Sequence, residues 1–127
     1  MKIPENLKYT TDHEWAKIED GIATIGITDY AQDSLGDIVF VELPDEGTEL
    51  EVGDTFGVVE SIKSVSDLYA PLSGKVLEKN SELEDQPGLC NEAPFDSWMI
   101  KLQLSNGENS TELMNANQYK EHCEGLD

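Results

Sequence analysis

The chain has 127 residues, with 27 Asp or Glu against eight lysines and no arginine, and a formal net charge of −19. Phosphate backbones are gripped through clustered Lys and Arg, so this balance excludes a nucleic-acid binder and leaves proteins or small molecules as partners. The length fits one domain burying roughly two thirds of its unfolded surface, no apolar run approaches the ~20 residues that span a bilayer, and Cys90 and Cys123 form neither a metal-ligand pattern nor a disulfide framework.

Met1-Lys2-Ile3-Pro4-Glu5-Asn6 lacks the apolar stretch of a signal peptide. The expectation is a soluble protein of the bacterial cytoplasm, or of the mitochondrial matrix if the chain is a processed one. Two strands, 14–19 and 22–27, are joined by Asp20-Gly21, the preferred two-residue hairpin turn because both positions must tolerate positive φ. Residues 28–36 then offer a Thr cap, an acidic first turn and a terminating Gly, which predicts a short helix. Ile38 to Leu43 is apolar on both alternating faces, so a strand covered on each side is expected, ended by Pro44.

Glu46-Gly47 and Val52-Gly53-Asp54 are turn signals. Thr55 to Glu60 and Ser64 to Ala70 are β-rich runs that predict a second hairpin centred on Ile62-Lys63, and Lys75 to Glu78 is a further strand. Asn80 to Pro94, polar and broken by Pro and Gly, reads as a long surface loop, its acidic run Ser81 to Asp85 solvated. Ser97 to Leu104 resumes as a strand. Beyond Ser105-Asn106-Gly107, Ser110 can cap a turn containing Thr111 to Met114, and Tyr119 and Cys123 share a helical face, giving one or two short terminal helices. Leu35-Gly36-Asp37 and Val52-Gly53-Asp54, each before a strand, are a faint internal echo.

At least six short strands, with helices confined to one connection and the C-terminus, predict a mostly β protein, an antiparallel β-sandwich or flattened barrel. Neither a dinucleotide fingerprint nor a P-loop is present, so nucleotide binding by those routes has no support.

Within Gly57 to Asp67, the predicted hairpin puts Lys63 at a rigid tip with its side chain in water, clear of both faces and well placed for modification by another protein. Taken alone, such a lysine is more often an ordinary turn residue. However, the segment resembles the lipoylation site of the glycine cleavage system H-protein family. Lys8-Tyr9-Thr10 with His13-Glu14-Trp15, Ala23 to Ala31, Leu35 to Pro44, Ala70 to Gly74 and Trp98 to Lys101 resemble that family too, in order and at similar spacing over essentially the entire chain.

The resemblance implies a lipoyl/biotinyl-type fold in a single carrier domain over 1–127, with a core at about 14–104 and a helical segment at about 109–124. It implies lipoic acid in amide linkage to Lys63, an arm of roughly 14 Å reach that is presented to each docked enzyme at high effective concentration. An ordinary lysine is an ammonium at neutral pH, whereas attack on an activated acyl group needs the free amine, so a separate lipoyl-transferring enzyme must act. Such enzymes are implied to read Glu60, three before the lysine, and Gly74, eleven after it. The surface around the arm is acidic, which suits basic docking patches on partners.

The implied partners are a pyridoxal-phosphate glycine decarboxylase (P protein), a tetrahydrofolate-dependent aminomethyltransferase (T protein) and a flavin dihydrolipoamide dehydrogenase (L protein). The chain would ferry the aminomethyl group and then the dithiol among them as a monomer with transient contacts. It is expected to be a carrier and not an enzyme. A cationic aminomethyl group in danger of hydrolysis would need carboxylates on the carrier, and Glu14, Asp67 and His13 are the candidates. His122-Cys123 cannot act as a nucleophile-base pair, since adjacent helical residues point about 100° apart; a packed Cys beside an exposed His is the simpler reading, and Cys90 is expected to be a buried small hydrophobe. Two other functions fit the residues: an H-like protein relaying lipoyl groups to 2-oxoacid dehydrogenases, and a binding module without lipoate. A biotin carrier is disfavoured, because Ile62-Lys63-Ser64 lacks flanking methionines.

Overall fold

The computed structural model describes residues 2–105 and 113–126. Among the described residues nine strands form two sheets, with every pairing antiparallel. The larger takes the order β1 (Lys8–Tyr9), β2 (Glu14–Glu19), β3 (Ile22–Ile27), β9 (Ile100–Leu104), β8 (Gly74–Lys79) and β5 (Glu49–Leu50). The smaller is β4 (Ile38–Glu42), β6 (Thr55–Ser61) and β7 (Val65–Tyr69). The two antiparallel sheets make the β-sandwich that the sequence predicts.

The β2–β3 hairpin turns at Asp20 and Gly21, both at positive φ, as the Asp-Gly pair requires. α1 (Asp29–Leu35) begins where the Thr28 hydroxyl accepts the Ala31 N–H and stops at Gly36, whose N–H returns to the Gln32 carbonyl. The space between the sheets is filled by Ile25, Val41, Val59, Leu72, Val76, Ile100 and Leu102, all buried. A second apolar cluster, Leu7, Tyr9, Trp15, Ala116, Tyr119 and Cys123, lies under α4 (Ala116–Glu124).

Three expectations need correction. β4 is not covered on both sides: its ladder bulges between Ile38 and Phe40, and Val39 and Phe40 are 56% and 42% exposed. The three-stranded sheet has only its inner face on the core, so alternation in an apolar strand overstated its burial. Asn80 to Pro94 is not a plain loop but carries α2 (Ser81–Asp85) and α3 (Leu89–Glu92). Leu83 and Cys90 are the apolar anchors that dock these short turns on the core; the acidic residues flanking Leu83 hid its role. The last long strand opens at Ile100, not Ser97: Ser97 instead bonds the Leu89 carbonyl through its hydroxyl. The turn expected to start at Ser110 lies outside the described residues; the terminal helix is capped by Asn115, with Gln118 completing a reciprocal capping box.

Candidate lysine-arm site

The β6–β7 hairpin pairs Val58 with Asp67, Val59 with Ser66 and Glu60 with Val65, leaving Ile62 and Lys63 at the bend. Ser61 ties this bend down. Its N–H donates to the Ser64 carbonyl at 2.8 Å, and its hydroxyl oxygen accepts the Lys63 and Ser64 N–H groups at 3.2 and 3.1 Å. A short hydroxyl folded back on its own turn substitutes for extra strand pairing and restricts the lysine's backbone. The bend is also fastened from outside, where the Ile62 N–H donates to the Asp37 carbonyl at 3.2 Å.

Lys63 is exposed, as expected at a hairpin tip. Its side chain does not stand clear of the body: a Cβ placed on Gly36 would lie 3.3 Å from Lys63 Cε and 3.8 Å from Nζ, so the stem runs across the end of α1. Ile62 beside it is 73% exposed. On the outer face of the small sheet, Phe40, Glu60 and Val65 form one cross-strand row and Glu42, Val58 and Asp67 the next. Lys63 thus rises at the end of a face where apolar and acidic side chains alternate.

Glu60 is half-buried in that face, three residues from Lys63. Gly74 is instead inside the fold, paired with Leu50 and Leu104, where any Cβ would run into the Gln103 carbonyl. Close approach of β8 and β9 alone demands glycine there.

Glu14 is only 2% exposed. Its Oε2 accepts the Tyr69 N–H at 2.8 Å, on the free edge of β7, and Oε1 accepts the Thr10 hydroxyl at 3.3 Å. Burial pushes its carboxyl up to about 8, against the opposing pull of these hydrogen bonds. Asp67 is exposed, two residues along the same strand from Tyr69. Glu14 therefore bonds the strand that carries Asp67, the second strand of the Lys63 hairpin.

His13 is turned away into a different cluster. Held at φ +66, it places Nδ1 2.7 Å from the Tyr119 hydroxyl, which is itself 2.7 Å from Thr28 Oγ1. His13 stacks on Tyr30, Tyr119 stacks on Tyr9, and the His122 ring lies 5.7 Å from that of His13. Burial, reinforced by His122, lowers the His13 pKa, with Asp12 opposing. Cys123 is packed as expected, but His122 is half-buried beside His13, not exposed. Cys90 is fully buried, and burial raises its thiol to about 11. Asn91, which the sequence did not single out, is bonded to Gly36, Gln32 and Ile38 beside the arm. Among the described residues no three His, Cys, Asp or Glu stand together to hold a metal ion, and no helix is long and apolar enough to cross a membrane.

A two-sheet β scaffold that presents one exposed lysine on a fastened hairpin bend is the architecture of a lipoyl-type domain. The family model described as glycine cleavage H-protein matches residues 7–125. Glycine cleavage system H proteins of Staphylococcus epidermidis and Staphylococcus saprophyticus are 57% and 58% identical over 122 residues, covering 95% of this chain and 97% of theirs. The crystal structure of a glycine cleavage system H protein from Mycobacterium marinum superimposes with a TM-score of 0.89 at 38% identity, over 96% of this chain and 99% of that one. The chain belongs to the glycine cleavage H-protein family, the lipoyl carriers of the glycine cleavage system.

Proposed function

We propose that Lys63 is the lipoyl attachment point and that the protein works as a non-catalytic carrier among the P, T and L proteins. The observation that carries this reading is the lysine tip itself: exposed, on a bend fixed by three bonds to Ser61, and flanked by surface that other proteins can touch. These residues fit a covalent arm, since the amine is reachable while its backbone is held. When attached, the lipoyl group supplies a disulfide that opens to accept cargo and closes on reoxidation.

The chain's own residues then do three things. Lys63 provides the amide nitrogen: its ammonium loses a proton, the amine displaces the activating group from a lipoyl carbonyl, and that group departs with its electron pair. Glu60, at the surface three residues away, is the acidic contact for the lipoyl-transferring enzyme. Gly74, inside the sheet, acts on that recognition only through the shape of the β8–β9 pair. Asp67, exposed on β7, is the carboxylate that would receive a cationic cargo, and Glu14, buried at the edge of the same strand, would join it only on giving up its proton. His13 would complete that set only from within the α4 cluster.

Two measurements test this reading. Intact mass of the chain purified from its own cells is expected to show a single increment of ~188 Da on Lys63. Lys63→Arg is expected to abolish glycine turnover in an assay reconstituted with the P, T and L proteins; turnover at the normal rate would refute it.

A further inference from the structure

The lysine bend is braced by a segment whose geometry is set from elsewhere in the fold. Gly36 sits at φ +80, ψ −157, a conformation essentially open to glycine alone. Its carbonyl accepts Asn91 Nδ2 at 2.8 Å, and the same amide donates to Gln32 Oε1 at 3.0 Å. Asn91 Oδ1 accepts the Ile38 N–H at 2.9 Å, so one side chain from α3 grips both ends of Gly36-Asp37-Ile38. Between those ends, the Asp37 carbonyl holds the Ile62 N–H of the bend. The chain of contacts runs from α3 through residues 36–38 to the residue next to Lys63.

Gly36 also borders the lysine directly. Its missing side chain leaves the strip over which Lys63 Cδ, Cε and Nζ lie, 3.3 to 4.0 Å from where a Cβ would stand. α1 is short and ends here, and Gly36 is the point at which the stem can cross close to the backbone. A methyl group would meet the flexible stem, not backbone, and so would displace it, while the positive φ adds a backbone strain of its own that a control must carry too.

We infer that Gly36 and Asn91 are positioning residues for the arm: Asn91 clamps the 36–38 segment against the bend, and bare Gly36 forms a channel that gives the root of the lysine one direction of departure. This rests on Lys63 being the attachment point. Its consequence is that the amine meets the lipoyl-transferring enzyme from a restricted set of orientations, which raises the frequency of productive encounters.

The test uses the intact, unlipoylated chain, a lipoyl-transferring enzyme and lipoyl adenylate. In the wild type, nuclear Overhauser contacts between Lys63 Hε and Gly36 Hα are expected. The Lys63 Cε relaxation should be that of a more ordered group than Lys120, an exposed lysine on α4. Gly36→Ala should move the Cε off Gly36 and Asn91→Ala should free it, and each should lower the initial rate of Lys63 charging about tenfold. Gly53→Ala is the control, because Gly53 has φ +90 in open space and so carries the backbone penalty without the lysine contact. It should lose stability while charging normally. A wild-type Lys63 as free as Lys120, variants charged at the wild-type rate, or an equal loss in Gly53→Ala would each overturn the inference. If the wild type itself accepts no lipoyl group, the failure lies with Lys63 as the attachment point.

Discussion

Glu14 is a carboxyl group removed almost wholly from water and given two neutral hydrogen-bond donors in exchange, neither of them a cation. Its folded value of about 8 stands above the ordinary 4.5, so the folded state holds its proton more tightly than the unfolded state does. The stability linked to this proton is therefore complete below about pH 4.5, falls as pH rises, and is gone above about 8. Glu14→Gln fixes the neutral form and removes the dependence. Urea unfolding from pH 5 to 8 should show the wild type losing ground to this variant by up to about 1.4 kcal/mol per pH unit. Parallel curves would mean that the carboxyl is not protonated in the fold. Nothing in the sequence signalled this, because burial of Glu14 comes from the β7 edge, 55 residues away along the chain.

At the scale of elements, α4 depends on one phenol. Tyr119 joins the helix to His13 in the loop before β2 and to Thr28, the cap of α1, while its ring stacks on Tyr9 of β1. Tyr119→Phe keeps the stack but strands the His13 ring nitrogen and leaves the Thr28 hydroxyl with its capping bond alone, which should cost about 1 to 3 kcal/mol. Hydrogen exchange should quicken first in α4 and in the opening turn of α1; unchanged protection there would show that the apolar cluster alone holds the helix. Local chemistry made the β2–β3 hairpin, α1 and the arm hairpin readable: Asp20-Gly21, Thr28 with Gly36, and the β-rich runs around Ile62-Lys63 each act within a few residues. α2 and α3 were unreadable because their fully buried apolar anchors, Leu83 and Cys90, are one to a helix in largely polar runs. The two-residue strands β1 and β5 exist only through their partners β2 and β8. The place of Lys63 at a bend, with Glu60 on the strand before it, could be read from local pattern, whereas the contacts of Asn91 could not, since its partners Gly36, Gln32 and Ile38 are distant in the chain.

For the whole molecule, the net charge of −19 governs encounter, and amide formation at Lys63 would remove one more positive charge. Partners that meet the arm face should do so through basic patches, so their association should be steered at low salt. Raising ionic strength from about 20 to about 300 mM shortens the Debye length from roughly 20 Å to 6 Å, and the second-order rate of lipoyl charging should fall about tenfold. A flat salt profile would place the docking energy in the apolar residues of that face. The same molecule is also divided in time. The core between the sheets draws on residues 16–102, but the cluster around Tyr9 and Trp15 is completed by Tyr119 and Cys123, and β1 bridges to Met114. On the ribosome, β1 can pair with β2 early but must wait for Tyr119 and Cys123, far later in the chain, before its apolar cluster is complete, so the body bearing Lys63 can close first.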